Sequence, residues 1–277
     1  MRHGKGFIEQ TLGGAFAFFR QALYDDETAS QPGLLQSLDP RVKAASLLSF
    51  LLLALFTRSL ALLGVLYLLS LILASLSRVP LGSFLLRTWV FIPLFSLFIA
   101  IPALFGIVSP GRVVVSICGL AVTEQGIRAA SFFLGRVITS VSLTVLLSMT
   151  TRHFELLKAL RSFGVPQVFV MVLGISYRYI YLFVGIVEDT YRAIKSRGGS
   201  GVHCRNGQRI VTWNMAHLWT RSYRLNEQVY SAMLARGFRG EPVALDVFRA
   251  RGRDWLWLAG CAATIFVLVY AEVTLGK

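Results

Sequence analysis

The strongest limit on how this chain can fold is the stretch at residues 44 to 77, "AASLLSFLLLALFTRSLALLGVLYLLSLILASLS", where Arg58 is the only charged residue. A helix needs about 20 apolar residues to cross the hydrocarbon core of a bilayer, within a range of about 17 to 25. Two helices fit here, over 44–57 and 59–77. The first is short unless Lys43 and Arg58 extend it by reaching to the membrane surface. Three further runs follow, at 88–108, 127–149 and 255–275. In lipid each backbone N–H and C=O must be satisfied within the structure, so single runs of this length predict helices.

Composition agrees. The chain is 55% hydrophobic and 15% charged, with a mean hydropathy of +0.62. An average soluble domain carries about 25% charged residues. The expected fold class is therefore an all-α integral membrane protein of about five transmembrane helices. The start, "MRHGKGFIEQTLGG", lacks the basic-then-apolar order of a cleavable signal, so the first membrane helix is expected to do the targeting. Net charge is +14, from 28 Lys and Arg against 14 Asp and Glu. In a membrane protein such an excess marks cytoplasmic loops. Nucleic-acid binding is not expected, because no soluble module interleaves basic and aromatic residues. Cys118, Cys204 and Cys261 are scattered and have neither metal-ligand spacing nor the look of a disulfide framework.

Residues 167 to 187, "QVFVMVLGISYRYIYLFVGIV", decide the topology. They are long enough to span, yet Arg178 sits at their centre. A central charge on a lipid-exposed helix costs roughly 2.5 to 3.5 kcal/mol on insertion scales. Basic residues also lie on both sides of the run: Arg152, Lys158 and Arg161 before it, and Arg192, Lys195, Arg205, Arg209 and others after it. The loop at 109–126 holds only Arg112 and Glu124 as charged residues. The run is therefore expected to stay on the cytoplasmic side, with the N-terminus inside and the C-terminus outside.

This organises the chain into an N-terminal cytoplasmic or interfacial segment (1–43), a four-helix membrane region (44–149), a cytoplasmic helical insert (150–254) and a last transmembrane helix (255–277). Residues 7–38 read as an interfacial amphipathic helix broken at Pro32-Gly33. Asp39 is the expected N-cap of the next helix, with Pro40 at its first position. In the insert, helices are expected over 151–166, 167–197 and 209–236, with "GGSGVHCRNG" as loop.

Two of these helices end in Arg-Gly: "AIKSRGG" with Arg197 and "AMLARGFRG" with Arg236. Arg in a last turn complements the helix dipole and Gly terminates the helix, which is the ordinary reading of such pairs. Position adds to it. Val211, Met215, Leu218, Leu225 and Val229 recur at helical steps, and a further step of seven reaches Arg236. Tyr179, Phe183, Ile186 and Ile194 form a similar stripe that leads to Arg197. An Arg at the end of an apolar stripe suits a hydrophobic groove with a carboxylate at its base, because the guanidinium pairs two-pronged and stays charged. Two such ends suit two equivalent grooves, as twofold-related ATPase subunits would offer.

With these residues in view, the chain resembles the transmembrane T component of energy-coupling-factor transporters, most closely the cobalt/nickel (CbiQ-like) type. The resemblance rests on "FIEQTL", "LDPRVK", "FGVP" and the two Arg-Gly ends. It implies that the insert holds coupling helices whose Ala-Arg-Gly-like signatures dock into ATP-binding cassette ATPases. Ala235, Arg236 and Gly237 match that form; Ser196, Arg197 and Gly198 depart from it by Ser in place of Ala. The resemblance further implies an ATPase dimer, a membrane substrate-binding subunit and a small accessory membrane subunit as partners. ATP would be bound on partner subunits, with no cofactor on this chain, and the seat would be the cell inner membrane.

Other classes have weaker footing. "GGSG" lacks the Lys-Ser/Thr of a phosphate-binding loop, so ATP hydrolysis is expected elsewhere. For an intramembrane enzyme, His153 with Glu155 and His203 with Cys204 are the only neighbouring candidates, and neither has zinc-ligand helical spacing. His217 reads as packing or surface, and Glu188 or Asp189 as a helical partner of Arg192. A secondary carrier would show matched interrupted helices, and Pro93 with Pro102 has no counterpart. A T component for a vitamin importer is the nearest alternative.

Overall fold

The computed structural model describes residues 29, 31, 33–89, 96, 99–102, 113–117, 120–198, 204–240 and 252–275. Its elements are α1 (Pro40–Phe56), α2 (Leu60–Leu76), α3 (Leu81–Trp89), β1 (Val113–Ile117), β2 (Leu120–Thr123), α4 (Glu124–Thr150), α5 (His153–Ser162), α6 (Gln167–Gly198), α7 (Cys204–Ala235) and α8 (Gly252–Leu275). The all-α expectation holds apart from one antiparallel hairpin, β1 with β2, which pairs Ile117 with Leu120 inside the expected external loop. The amphipathic segment before residue 29 and most of the 88–108 run lie outside the described residues. The described residues form two compact units, one of 29–159 with 252–275 and one of 160–240.

In the first unit α4 is the centre, packed by α1, α2 and α3, with α8 against α1. The core joins Leu47, Phe50, Leu63, Leu66, Phe84, Leu143 and Leu146. Gly135 lets α2 approach closely, since a Cβ there would stand 3.3 Å from Leu60 Cδ1. Asp39 caps α1 as expected, accepting from Arg41 N–H at 2.9 Å. Large apolar side chains such as Leu52, Phe56, Leu68 and Phe266 point outward, as lipid requires.

The α1–α2 hairpin is short. At 1.5 Å per residue, its 17-residue helices reach about 25 Å, against about 30 Å of hydrocarbon. The backbone at its turn needs partners, and the few charges in the spanning runs provide them. Arg136 of α4 donates to Thr57 C=O at 3.0 Å, and Glu272 of α8 accepts from Arg58 N–H. Arg136 and Glu272 are thus explained as caps for a turn that stops short of the far surface.

At the opposite end, the 3₁₀ turn Leu35–Ser37 docks on the end of α2. Gln36 Nε2 donates to Ser77 C=O at 2.9 Å, and Leu35 N–H to Ser77 Oγ at 3.4 Å. Gly33 makes this contact possible: a Cβ would fall 2.2 Å from Gln36 Oε1 and 2.7 Å from Ser77 O. Gln36 can swing away; the Ser77 backbone cannot. Gly33→Ala is expected to cost about 1 to 3 kcal/mol by overpacking. Thermal unfolding of the purified variant checks this, and an unchanged midpoint would contradict the packing account.

Three helices are long and apolar enough to cross a membrane: Glu124–Thr150, Gln167–Ala193 and Gly252–Thr274. Length and composition therefore place part of α6 among the possible spans. Its packing differs from that of the others, because α6 belongs with α7 in the second unit and Arg178 is exposed.

Candidate functional site

The second unit pairs α6 with α7 along a groove of about 510 Å³. α6 lines it with Met171, Ile175, Tyr179 and Phe183; α7 contributes Leu225, Val229 and Met233. Of the α7 row, Leu218, Leu225 and Val229 are half-buried and Met215 is exposed, so the inner face is the later half of the helix. On α6, the Tyr177 and Tyr181 hydroxyls share a hydrogen bond at 2.6 Å, and Glu188 pairs with Arg192 one turn on, as expected. His217 stacks on Trp213 at 5.5 Å. α7 begins at Cys204, so the last residues of "GGSGVHCRNG" are helix rather than loop.

The end of α7 is specified by its backbone. Phe238 N–H bonds Met233 C=O at 3.0 Å, Gly237 N–H bonds Leu234 C=O at 2.9 Å, and Gly237 has φ +83°. This is a Schellman closure, with Gly at the left-handed position because a Cβ is disfavoured there. α5 ends the same way at Gly164, φ +91°. Arg236 is the cap residue and uses only its backbone N–H, which is shared between Ala232 and Met233. Ala235, Arg236 and Gly237 are all exposed. At the other end, α6 continues through Gly198, which is its last helical residue, and Ser196 Oγ donates to Ala193 C=O at 2.9 Å. The side chain of Arg197 lies outside the described residues.

Val172, Trp219, Tyr223 and Tyr230 line the groove and stay exposed, and beyond it Phe169, Ile180 and Trp213 also face outward. Large exposed apolar patches of this kind mark contact with lipid or another protein. Among the described residues, no group of three or more His, Cys, Asp or Glu could hold a metal ion.

The first unit carries a second polar assembly, centred on Lys43. Lys43 does not reach to the membrane surface: it is 1% exposed, and its Nζ donates to Thr150 C=O, the end of α4, at 2.7 Å. It lies just before the apolar run, where burial lowers its ammonium pKa to about 8 and the negative charge of Glu155 on α5 opposes that. Ser46 Oγ accepts from Trp257 Nε1 of α8 at 3.1 Å, and buried Asp254 accepts from Asp39 N–H at 3.1 Å. One turn of α1 thus holds α4, α5 and α8 where α4 gives way to α5. Its sequence signal was faint: a lysine one turn after an Asp-Pro cap, where snorkelling is the ordinary expectation.

A family model described as cobalt transport protein, CbiQ, matches residues 33–245. An uncharacterized protein of Methanocaldococcus jannaschii is 32% identical over 237 residues, covering 84% of this chain and 81% of that protein. The energy-coupling factor transporter transmembrane protein EcfT of Streptococcus thermophilus is 27% identical over 248 residues, covering 83% of this chain and 88% of its own. The nickel permease LarQ of Lactiplantibacillus plantarum is 28% identical over 111 residues, which is 40% of each chain.

Proposed function

The chain belongs to the CbiQ cobalt transport protein family, and from that premise we propose that it is the transmembrane coupling subunit of an energy-coupling-factor importer. It transmits the ATP-driven movement of two ATPase subunits to a membrane substrate-binding subunit, and the cargo is a cobalt or nickel ion. The observation that carries this reading is the α6–α7 unit. It exposes large apolar faces and places Arg236 beyond a helix end whose closure leaves the side chain free for another task. A relative named as an energy-coupling-factor transmembrane protein along most of its length supports it.

In this mechanism Arg197 and Arg236 insert into grooves on the two ATPases, on the cytoplasmic face of the inner membrane. Binding of ATP closes the ATPases and hydrolysis reopens them. The coupling helices follow, and their exposed aromatic and aliphatic faces pass the movement to the substrate-binding subunit. This chain supplies leverage; ATP is bound and hydrolysed on its partners. The cation is held on the substrate-binding subunit, with a small accessory membrane subunit beside it.

Affinity purification of the tagged chain from its own membrane tests the proposal. Two copies of an ATP-binding cassette subunit and one small hydrophobic metal-binding subunit are expected to co-purify, and the assembly is expected to take up radiolabelled cobalt or nickel in an ATP-dependent manner. A folded chain that recovers neither partner would refute the proposal.

A further inference from the structure

A cavity of about 1070 Å³ opens in the first unit, lined by Arg78, Arg152 and Arg253 together with Leu76, Leu256 and Trp257. Glu155 also lines it, so the described lining holds three guanidinium groups and one carboxylate. Among the described residues, neither Arg78 nor Arg253 meets a carboxylate at ion-pair distance. Arg78 stands one residue past the cap of α2 and Arg253 in the first turn of α8, so both lie where an apolar helix begins or ends. The adjoining Leu76 and Leu256 are 54% and 75% exposed, continuing the lipid-facing surfaces of the two helices.

Arg78 adds an independent observation. It closes α2 with the same hydrogen bonds that end α5 and α7, Val79 N–H to Ala74 C=O at 3.1 Å and Arg78 N–H to Ser75 C=O at 3.1 Å. Those two helices use Gly164 and Gly237 at the left-handed position; α2 uses Arg, at φ 53°. A residue with a Cβ is sterically disfavoured there. A cation at a helix end suits the dipole, but a basic residue in the last turn would serve without strain. Position 78 is distinguished because it lines the cavity.

We propose that this cavity binds the phosphate of an anionic phospholipid at the membrane surface, its guanidinium groups pairing with the phosphate oxygens and its acyl chains lying along Leu76 and Leu256. Planar guanidinium forks match phosphate geometry. A free phosphate would share that chemistry, but the apolar rim favours the lipid. The inference goes beyond the coupling role and needs only that α2 and α8 sit in a bilayer.

The test is thermal unfolding of the purified full chain in mixed micelles, titrated with dioleoyl phosphatidylglycerol, dioleoyl phosphatidylcholine or inorganic phosphate. Phosphatidylglycerol is expected to raise the midpoint, and the other two are not. Arg78→Gly and Arg253→Gln are each expected to raise the half-saturating phosphatidylglycerol fraction about fivefold, the usual weight of one cation at an anionic surface. Arg221→Gln, on α7, is expected to leave it unchanged. In lipid-free detergent Arg78→Gly is expected to be at least as stable as the parent chain, which separates lost binding from lost folding. Parental lipid responses in both cavity variants would overturn the proposal. So would equal protection by inorganic phosphate, or loss of co-purifying subunits from those variants with the lipid response intact, which would make the cavity a protein contact.

Discussion

Reversing the charge at both Arg197 and Arg236 to Glu is expected to strip the ATPase subunits from the purified chain and abolish uptake. Removing one partner of a buried, hydrogen-bonded charge pair at an interface costs about 2 to 5 kcal/mol or more, much of it from the group left unpaired. That corresponds to roughly thirtyfold to several thousandfold in affinity per site, and reversal adds repulsion. The end of α7 makes the experiment clean. Its closure uses the N–H groups of Gly237 and Phe238 and the left-handed Gly237, and no atom of the Arg236 side chain. The variant should therefore keep its helix and its yield. Arg221→Glu, in the middle of α7, serves as the control that retains the ATPases. If the double variant still co-purifies with them and supports uptake, the arginines are caps and nothing more.

Replacing Lys43 by Met is expected to have the largest effect on folding. The side chain is fully buried, and its ammonium donates to the Thr150 carbonyl, where α4 ends and the chain turns toward α5. Met fills the space but donates nothing. Thr150 C=O then faces an apolar neighbour, and Glu155 loses the cation that offsets its charge. Leaving a buried acceptor unsatisfied costs about 1 to 3 kcal/mol, a sizeable share of a domain's ordinary stability. The readouts are the monodisperse yield in size-exclusion chromatography and the unfolding midpoint. Arg41→Met, two residues earlier on the same helix, is expected to lose much less. A Lys43→Met chain with parental yield and midpoint would show that the ammonium is not structural.

The element plan was largely legible because the two strongest local signals, apolar run length and capping chemistry, act within a few residues. The run at 44–77 with one interrupting arginine foretold α1 and α2, Asp39-Pro40 marked the start of α1, and Gly164 and Gly237 marked two helix ends. The helix end at Arg236 and Gly237 was legible for the same reason, since its closure is local. Not legible were roles that depend on a distant partner. Lys43, expected at the membrane surface, meets Thr150 more than a hundred positions away. Arg136 and Glu272 carry no local sign that they cap a turn on another hairpin. Arg78 carries no pattern at all until its φ is seen.

Apolar run length and charge pattern alone specify a set of apolar helices followed by basic ones, because in lipid a single run of about 20 apolar residues satisfies its own backbone only as a helix. Which charges serve that backbone emerges only from the packing of the helices. A buried polar group is tolerated where its complement lies in space, and periodicity along one helix does not record what a neighbouring helix will offer.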